Sequence, residues 1–124
     1  MKRDFTYIDD LVDGIVALIG KAPEVGNPVA LDAMTDTLSP VGPWRVVNIG
    51  GGDPVGLMDF IGAIETRLGR TARKNMLPMQ PGDVPATFAD LSLMRALTGY
   101  QPKVKVEEGV SAFVDWYLDY TKTA

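Results

Sequence analysis

The 124-residue chain contains neither cysteine nor histidine. Without cysteine there are no disulfides, no thiolate metal ligands and no thiol nucleophile. Without histidine the commonest general base and the commonest metal ligand are missing as well. Cysteine-free composition fits a reducing compartment. No apolar run approaches the roughly 18 residues that a membrane helix needs, and Met1-Lys2-Arg3-Asp4-Phe5 has no apolar core of a secretory signal. Basic charge is scarce too: 12 Lys+Arg face 16 Asp+Glu, a net charge of −4. That balance argues against nucleic acid or an anionic membrane as partner. These absences describe a cytoplasmic protein of one domain, residues 1–124, with enough apolar residues (46%) to bury a core.

Proline and glycine, in contrast, are concentrated. Three prolines and a glycine fall between Pro78 and Pro85, so neither a helix nor a central strand passes through. The segment from Met76 to Asp90 reads as a stiff, partly apolar loop holding one amide, Gln80, and one carboxylate, Asp83. It is either a connector or a ligand-positioning loop. Residues 21–43 contain four prolines and two glycines without periodicity and read as a long irregular loop.

Elsewhere the patterns are regular. Phe5 to Ile8 read as a short strand. Leu11, Val12, Ile15, Leu18 and Ile19 recur at helical spacing behind Asp9 and Asp10, one of which is expected at the N-cap, and Gly20 ends the helix. Trp44 to Ile49 is the best strand candidate, closed by Gly50-Gly51-Gly52. Asp53-Pro54 reads as a cap and first residue of a helix carrying Leu57, Phe60, Ile61, Ile64 and Leu68, with Gly69 past its end. Residues 71–77 read as a short strand. Asp90 is expected to cap a short helix over Leu91, Met94 and Leu97, closed by Gly99. A last helix begins near Val106, its face formed by Val110, Phe113, Val114, Tyr117 and Leu118. The sum is a helix-rich mixed α/β fold of four helices and two or three short strands.

Candidate chemistry is thin. The glycine triplet fails the dinucleotide pattern, because the third glycine of G-x-G-x-x-G falls on Val55, and Asp53 sits where an anion would bind. It reads as a turn. Capping accounts for Asp9 and Asp10. No tyrosine is followed four residues later by lysine, so the reductase-type catalytic pair is absent. Arg3 is either a surface charge or a planar fork for a phosphate or carboxylate.

Four motifs in order nevertheless carry a resemblance. Arg3-Asp4-Phe5-Thr6-Tyr7-Ile8-Asp9-Asp10 resembles the R-D-[FY]-[IT]-[YH]-[VI]-x-D segment of extended short-chain dehydrogenase/reductases that act on nucleotide sugars. Val47-Asn48-Ile49-Gly50 resembles their Y-N-[IL]-G strand. Gln80-Pro81-Gly82-Asp83-Val84-Pro85-Ala86-Thr87 with Ala89-Asp90 resembles their [RQ]-x-G-D segment, and Gly99-Tyr100-Gln101-Pro102 with Glu107-Glu108-Gly109 closes the series. The wording around Met76 to Pro85 is most similar to bacterial UDP-glucuronate 4-epimerases of capsule and O-antigen synthesis.

The resemblance implies that Arg3 pairs with the substrate diphosphate, that Asp83 hydrogen-bonds the ribose, and that Gln80 stands where galactose epimerases have an arginine. It also implies that the glycine-rich NAD turn and the catalytic Tyr-x-x-x-Lys lie in an amino-terminal half that this sequence does not contain. The expectation is the substrate-binding, carboxy-terminal portion of an extended reductase-type enzyme lacking most of the Rossmann domain, from a truncated reading frame or a cut piece. It has no catalytic residue, no NAD or metal of its own, and weak or no UDP-sugar binding alone. Faces normally covered by the missing half would favour self-association.

Overall fold

The computed structural model describes residues 1–31 and 35–122. Four helices and one two-stranded sheet follow one another: β1 (Lys2–Arg3), α1 (Ile8–Ile19), β2 (Val55–Gly56), α2 (Leu57–Leu68), α3 (Ser92–Thr98) and α4 (Val106–Lys122). β1 and β2 pair antiparallel, Lys2 opposite Gly56 and Arg3 opposite Val55. On its other edge Lys2 bridges Ala86 in parallel, with Lys2 N donating to the Pro85 carbonyl (2.9 Å) and Thr87 N to the Lys2 carbonyl (3.2 Å). Two residues of strand therefore tie the amino terminus to both the start of α2 and the proline-rich loop.

The helices lie where the apolar periodicity puts them, and glycine ends three of them. Gly69 and Gly99 take left-handed φ values of 64° and 72°, which a side chain would strain, and each donates its N–H back into the last turn. Gly20 ends α1 in an ordinary conformation, φ −82°. α2 packs against α4 and α1 against α3. The buried core is small: Leu91, Met94 and Tyr100 form its centre, with Leu18, Val47, Ile49 and Ala89 packed around it. Val110 and Val114 of α4 are buried as well, and Phe5 stacks on Phe60 of α2, ring centroids 4.1 Å apart.

Helix starts and strands differ from the sequence expectations. α1 is preceded by Tyr7 in extended conformation, without a side-chain cap, and Asp9 and Asp10 lie inside its first turn. Asp10 is 4% exposed; its carboxylate accepts hydrogen bonds from Lys103 N (3.1 Å) and Val104 N (2.9 Å). Tertiary demand for that acceptor outweighs capping. Phe5 to Ile8 form no strand, because the backbone pairing is spent earlier, at Lys2–Arg3. Asp53-Pro54 do not start α2, since Val55–Gly56 first pair with β1, and Gly56 takes the N-cap position.

Trp44 to Ile49 are not a strand. A strand is defined by a neighbouring backbone that takes its N–H and C=O groups in a ladder; among the described residues only Trp44 has backbone partners, in a local turn, its carbonyl accepting from Ser39 N (2.9 Å) and its N–H donating to the Gly42 carbonyl (2.8 Å). Instead the Thr37 hydroxyl brackets Val46, donating to its carbonyl (2.6 Å) and accepting from its N–H (3.2 Å). Residues 71–77 are likewise no strand. Glu65 gathers them by accepting from Ala72 N (2.7 Å) and from the Lys74 ammonium, and these two contacts, the lysine first, hold the Glu65 carboxyl below its usual range. Asp90 lies one residue ahead of the N-cap position, which Leu91 takes, and its carboxylate accepts from Ser92 N at 2.8 Å.

Burial raises the Tyr100 phenol above its ordinary value, and the carboxylates of Asp10, Asp4 and Asp13 add to the shift. The folded chain then keeps a proton that the unfolded chain releases near pH 10. This contribution is complete below about pH 10 and is lost as pH rises through the raised folded value. The Tyr100 hydroxyl donates to the Gly50 carbonyl across a long 3.4 Å. Tyr100→Phe should therefore cost only about 0.5–1 kcal/mol at neutral pH. It should also flatten the loss of urea-unfolding stability above about pH 10; an unchanged alkaline slope would assign that slope to other groups.

Candidate functional site

The site begins with one carboxylate. Asp4 follows β1, and its Oδ1 accepts hydrogen bonds from Gly51 N and Gly52 N, both at 2.9 Å, while Oδ2 accepts from Ala89 N at 3.0 Å. Asp4 N in turn donates to the Thr87 hydroxyl at 3.3 Å. The glycine triplet is needed here for space. A Cβ on Gly51 would lie 2.2 Å from the Phe5 carbonyl oxygen, and one on Gly50 would lie 2.6 Å from Ala89 Cβ. The anion at this turn is the chain's own aspartate, so these amides are committed and offer no phosphate cradle.

With Asp4 fixed on one side of the chain, Arg3 projects the other way, toward the proline-rich loop. Its Nη1 donates to the Val84 carbonyl (2.9 Å) and the Lys2 carbonyl (3.0 Å), and its Nη2 lies 4.0 Å from Asp83 Oδ1. Asp83 sits at the end of a tight turn. Gln80-Pro81-Gly82-Asp83 places proline second and glycine third, Gly82 has φ 91°, and Asp83 N donates to the Gln80 carbonyl at 3.1 Å. That is the arrangement a type II turn demands. The Gln80 side chain turns back to donate to the Pro78 carbonyl at 3.3 Å. Arg3 and Asp83, eighty positions apart in sequence, thus share one edge; Gln80 shares the turn but contacts neither side chain. All of 76–88 is exposed, so the edge is open.

A separate apolar cavity of about 260 Å³ lies between residues 5–7, α2 and α4, lined by Phe5, Phe60, Ile64, Val110 and Phe113 among others. None of the three predicted residues lines it. Among the described residues no cluster of acidic side chains has the geometry of a metal site, and no helix is long and apolar enough to cross a membrane. The sequence patterns assign Asp4 no structural role and Asp10 only a share in capping α1. The available signal was the pairing of an aspartate with a downstream glycine triplet whose amides needed an acceptor.

Known proteins are similar to this chain in sequence and fold. No family model matches the chain. A "Probable UDP-glucuronate 4-epimerase" from Rhizobium meliloti is 59% identical over 117 residues, covering 94% of this chain and 34% of its own length. "Protein CapI" from Staphylococcus aureus is 45% identical, covering 98% of this chain and 36% of its own length. The structure of UDP-glucuronic acid 4-epimerase from Bacillus cereus, in complex with UDP-glucuronic acid and NAD, superposes with a TM-score of 0.69 at 31% identity over 94% of this chain and 32% of its own. The UDP-glucose 4-epimerase from Bifidobacterium longum, 22% identical, shares the fold with a TM-score of 0.72, over 95% of this chain and 30% of its own.

The fold is that of the carboxy-terminal part of the extended short-chain dehydrogenase/reductases, and the sequence matches the corresponding part of their nucleotide-sugar epimerases. Within that class it is a relative of the UDP-glucuronate 4-epimerases. It spans about a third of the length of these curated relatives.

The Asp4 staple carries a direct test. Asp4→Asn preserves shape but turns one acceptor into a donor facing a backbone N–H. Leaving these amides unmatched should lower urea-unfolding stability by about 2–4 kcal/mol and speed amide exchange at Gly51, Gly52 and Ala89. Stability within about 0.5 kcal/mol of the parent would remove Asp4 from the centre of the fold.

Proposed function

We propose that this chain is the UDP-sugar-binding portion of an NAD-dependent UDP-glucuronate 4-epimerase-like enzyme of surface polysaccharide synthesis, acting in the cytoplasm. The observation that carries the reading is the approach of Arg3 to Asp83 at 4.0 Å on an open edge, fixed by β1 and the 80–83 turn. In this reading Arg3 meets the diphosphate, Asp83 accepts from the ribose hydroxyls, and Gln80 donates a neutral hydrogen bond beside the phosphates. A guanidinium presents a charged planar fork suited to phosphate oxygens, and a carboxylate is an acceptor suited to paired hydroxyls. The Arg3–Asp83 contact then holds the two groups in place and is exchanged for ligand contacts.

NAD, in the complete family enzyme, supplies the redox chemistry. The residues present do not fit it: Gly51 and Gly52, the turn with the most suitable backbone, spend their N–H groups on Asp4. The chain alone therefore orients a nucleotide and contributes no acid, base or hydride acceptor.

Titration of the full chain with UDP, followed by amide chemical shifts, should show a Kd of about 1 mM or weaker, with shifts confined to residues 2–4 and 80–84. Arg3→Ala and Asp83→Ala should each weaken it about tenfold, ~1.4 kcal/mol. Shifts elsewhere, or none at Arg3 and Asp83, would sink the ligand assignment. Turnover of UDP-glucuronate by the chain with added NAD would overturn its inactivity.

A second reading has its own observation. Ile8, Val12, Ile15, Val16 and Ile19 form an exposed aliphatic stripe along α1, Ile19 at 76%, while Asp10 and Gly14 are buried on the opposite side. A helix packed on one side and apolar on the other is suited to packing on both sides. The chain is thus also a self-associating module, with this stripe as the contact. Static light scattering should show a dimer or larger species, returned to monomer by Ile15→Glu. A monomeric parent at the highest soluble concentration would end this reading.

A further inference from the structure

The apolar cavity beside α2 and α4 has a chemistry of its own. Phe60 and Ile64 stand one turn apart on α2, Val110 and Phe113 one turn apart on α4, so each pair shares a helix face. The two helices pack on each other, and residues 5–7 and 104–106 complete the walls. Phe5 does not fill the space, because its ring is stacked on Phe60 with centroids 4.1 Å and planes 12° apart. Tyr7 already rests on α4, where a Cβ on Gly109 would lie 2.8 Å from Tyr7 Cδ2. About 260 Å³ is left over.

Water suits that volume poorly. Apart from Thr6, Tyr7 and Lys105 the lining side chains are purely carbon, whereas a held water needs roughly two to four polar partners. Close-packed interiors keep few voids larger than a water molecule. An apolar cavity of about 150 Å³ already admits benzene, and drug-sized ligands take about 300 Å³ or more. The space here lies between the two, the size of a molecule of one or two rings.

The lining also selects the ligand. Three walls are phenylalanine rings, which favour another ring in offset-stacked or edge-to-face contact. Among the described residues no carboxylate or guanidinium side chain lines the cavity. Lys105 is exposed, so its ammonium stays in water while its stem covers apolar surface. We propose that the cavity is a binding site for a small, flat, uncharged aromatic molecule, bounded by Phe5, Phe60 and Phe113. Phe113 is 57% exposed in the free chain, and covering its ring removes apolar surface from water, which drives binding.

The probe is indole, titrated into the full chain and followed by amide and methyl chemical shifts. The amides of Thr6, Tyr7, Gly109 and Val110 and the methyls of Ile64 and Val104 should shift saturably, with half-saturation on the order of 1 mM. Val104→Phe, which places a ring of the chain's own at the cavity wall, should abolish saturation while the chain stays folded. If that variant unfolds, Phe113→Ala, at an exposed position, carries the test and should raise half-saturation several-fold.

No saturation in the parent chain up to the solubility of indole would overturn the site. Indole-3-acetate acting at lower concentration than indole would overturn the choice of an uncharged ligand. The same resonances moving on simple dilution, without indole, would make another copy of the chain the occupant and overturn the ligand. Saturating UDP should leave the indole shifts unchanged, so failure here and failure at the Arg3 edge are read separately; displacement of indole by UDP would overturn a separate site.

Discussion

The Asp4 carboxylate is the point at which three distant stretches of chain become one structure. It takes the N–H groups of Gly51 and Gly52 on one oxygen and that of Ala89 on the other. Charge-assisted hydrogen bonds of this kind are roughly twice as strong as neutral ones, and they do the joining that a sheet does in larger domains. β1 and β2 contribute only two residues each, too little for an independent sheet. The fold also has few fully buried apolar side chains. Specific polar ties, Asp4 to the glycine triplet and Ala89 and Asp10 to Lys103 and Val104, therefore define the register of loops that the core alone leaves loose.

That arrangement also positions the candidate site. Successive side chains of an extended segment point to opposite sides, so fastening Asp4 inward turns Arg3 toward the loop. The loop is held in turn: Lys2 bridges Ala86 and the 80–83 turn closes on its own hydrogen bond. The exposed edge thus rests on a fixed carboxylate, a two-residue ladder and a proline–glycine turn.

Much of this was legible in the sequence, and unevenly so. Helices α2 and α4 could be read because 3.6-residue periodicity and a left-handed glycine such as Gly69 are local signals. The approach of Arg3 to Asp83 has no local signal, and the motif resemblance linked the two residues only by implying that both face one nucleotide sugar. What escaped notice was non-local. Asp9 and Asp10 look alike at a helix start, yet only Asp10 is buried, because two amides ninety-odd residues away need it. Asp53-Pro54 carries every local mark of a helix start, but the backbone two residues on is claimed by β1.

The Trp44 to Ile49 segment shows why the remainder is not legible from this chain. Its β-branched composition is that of a strand, and its core-facing residues Val47 and Ile49 do pack on the central cluster. Trp44 and Val46, on the alternate side, are exposed, and the segment has no ladder among the described residues. The α1 stripe lies in the same condition: one face packed, the other apolar and open. A β-branched segment without a neighbouring strand and a helix packed on one face and apolar on the other both suit more extensive contacts than the described residues supply. The curated relatives, nearly three times as long as the part they share with this chain, show that the same pattern exists in longer proteins. Sequence propensity there and structure here differ because propensity records the surroundings a segment is suited to, whereas pairing requires those surroundings to be present.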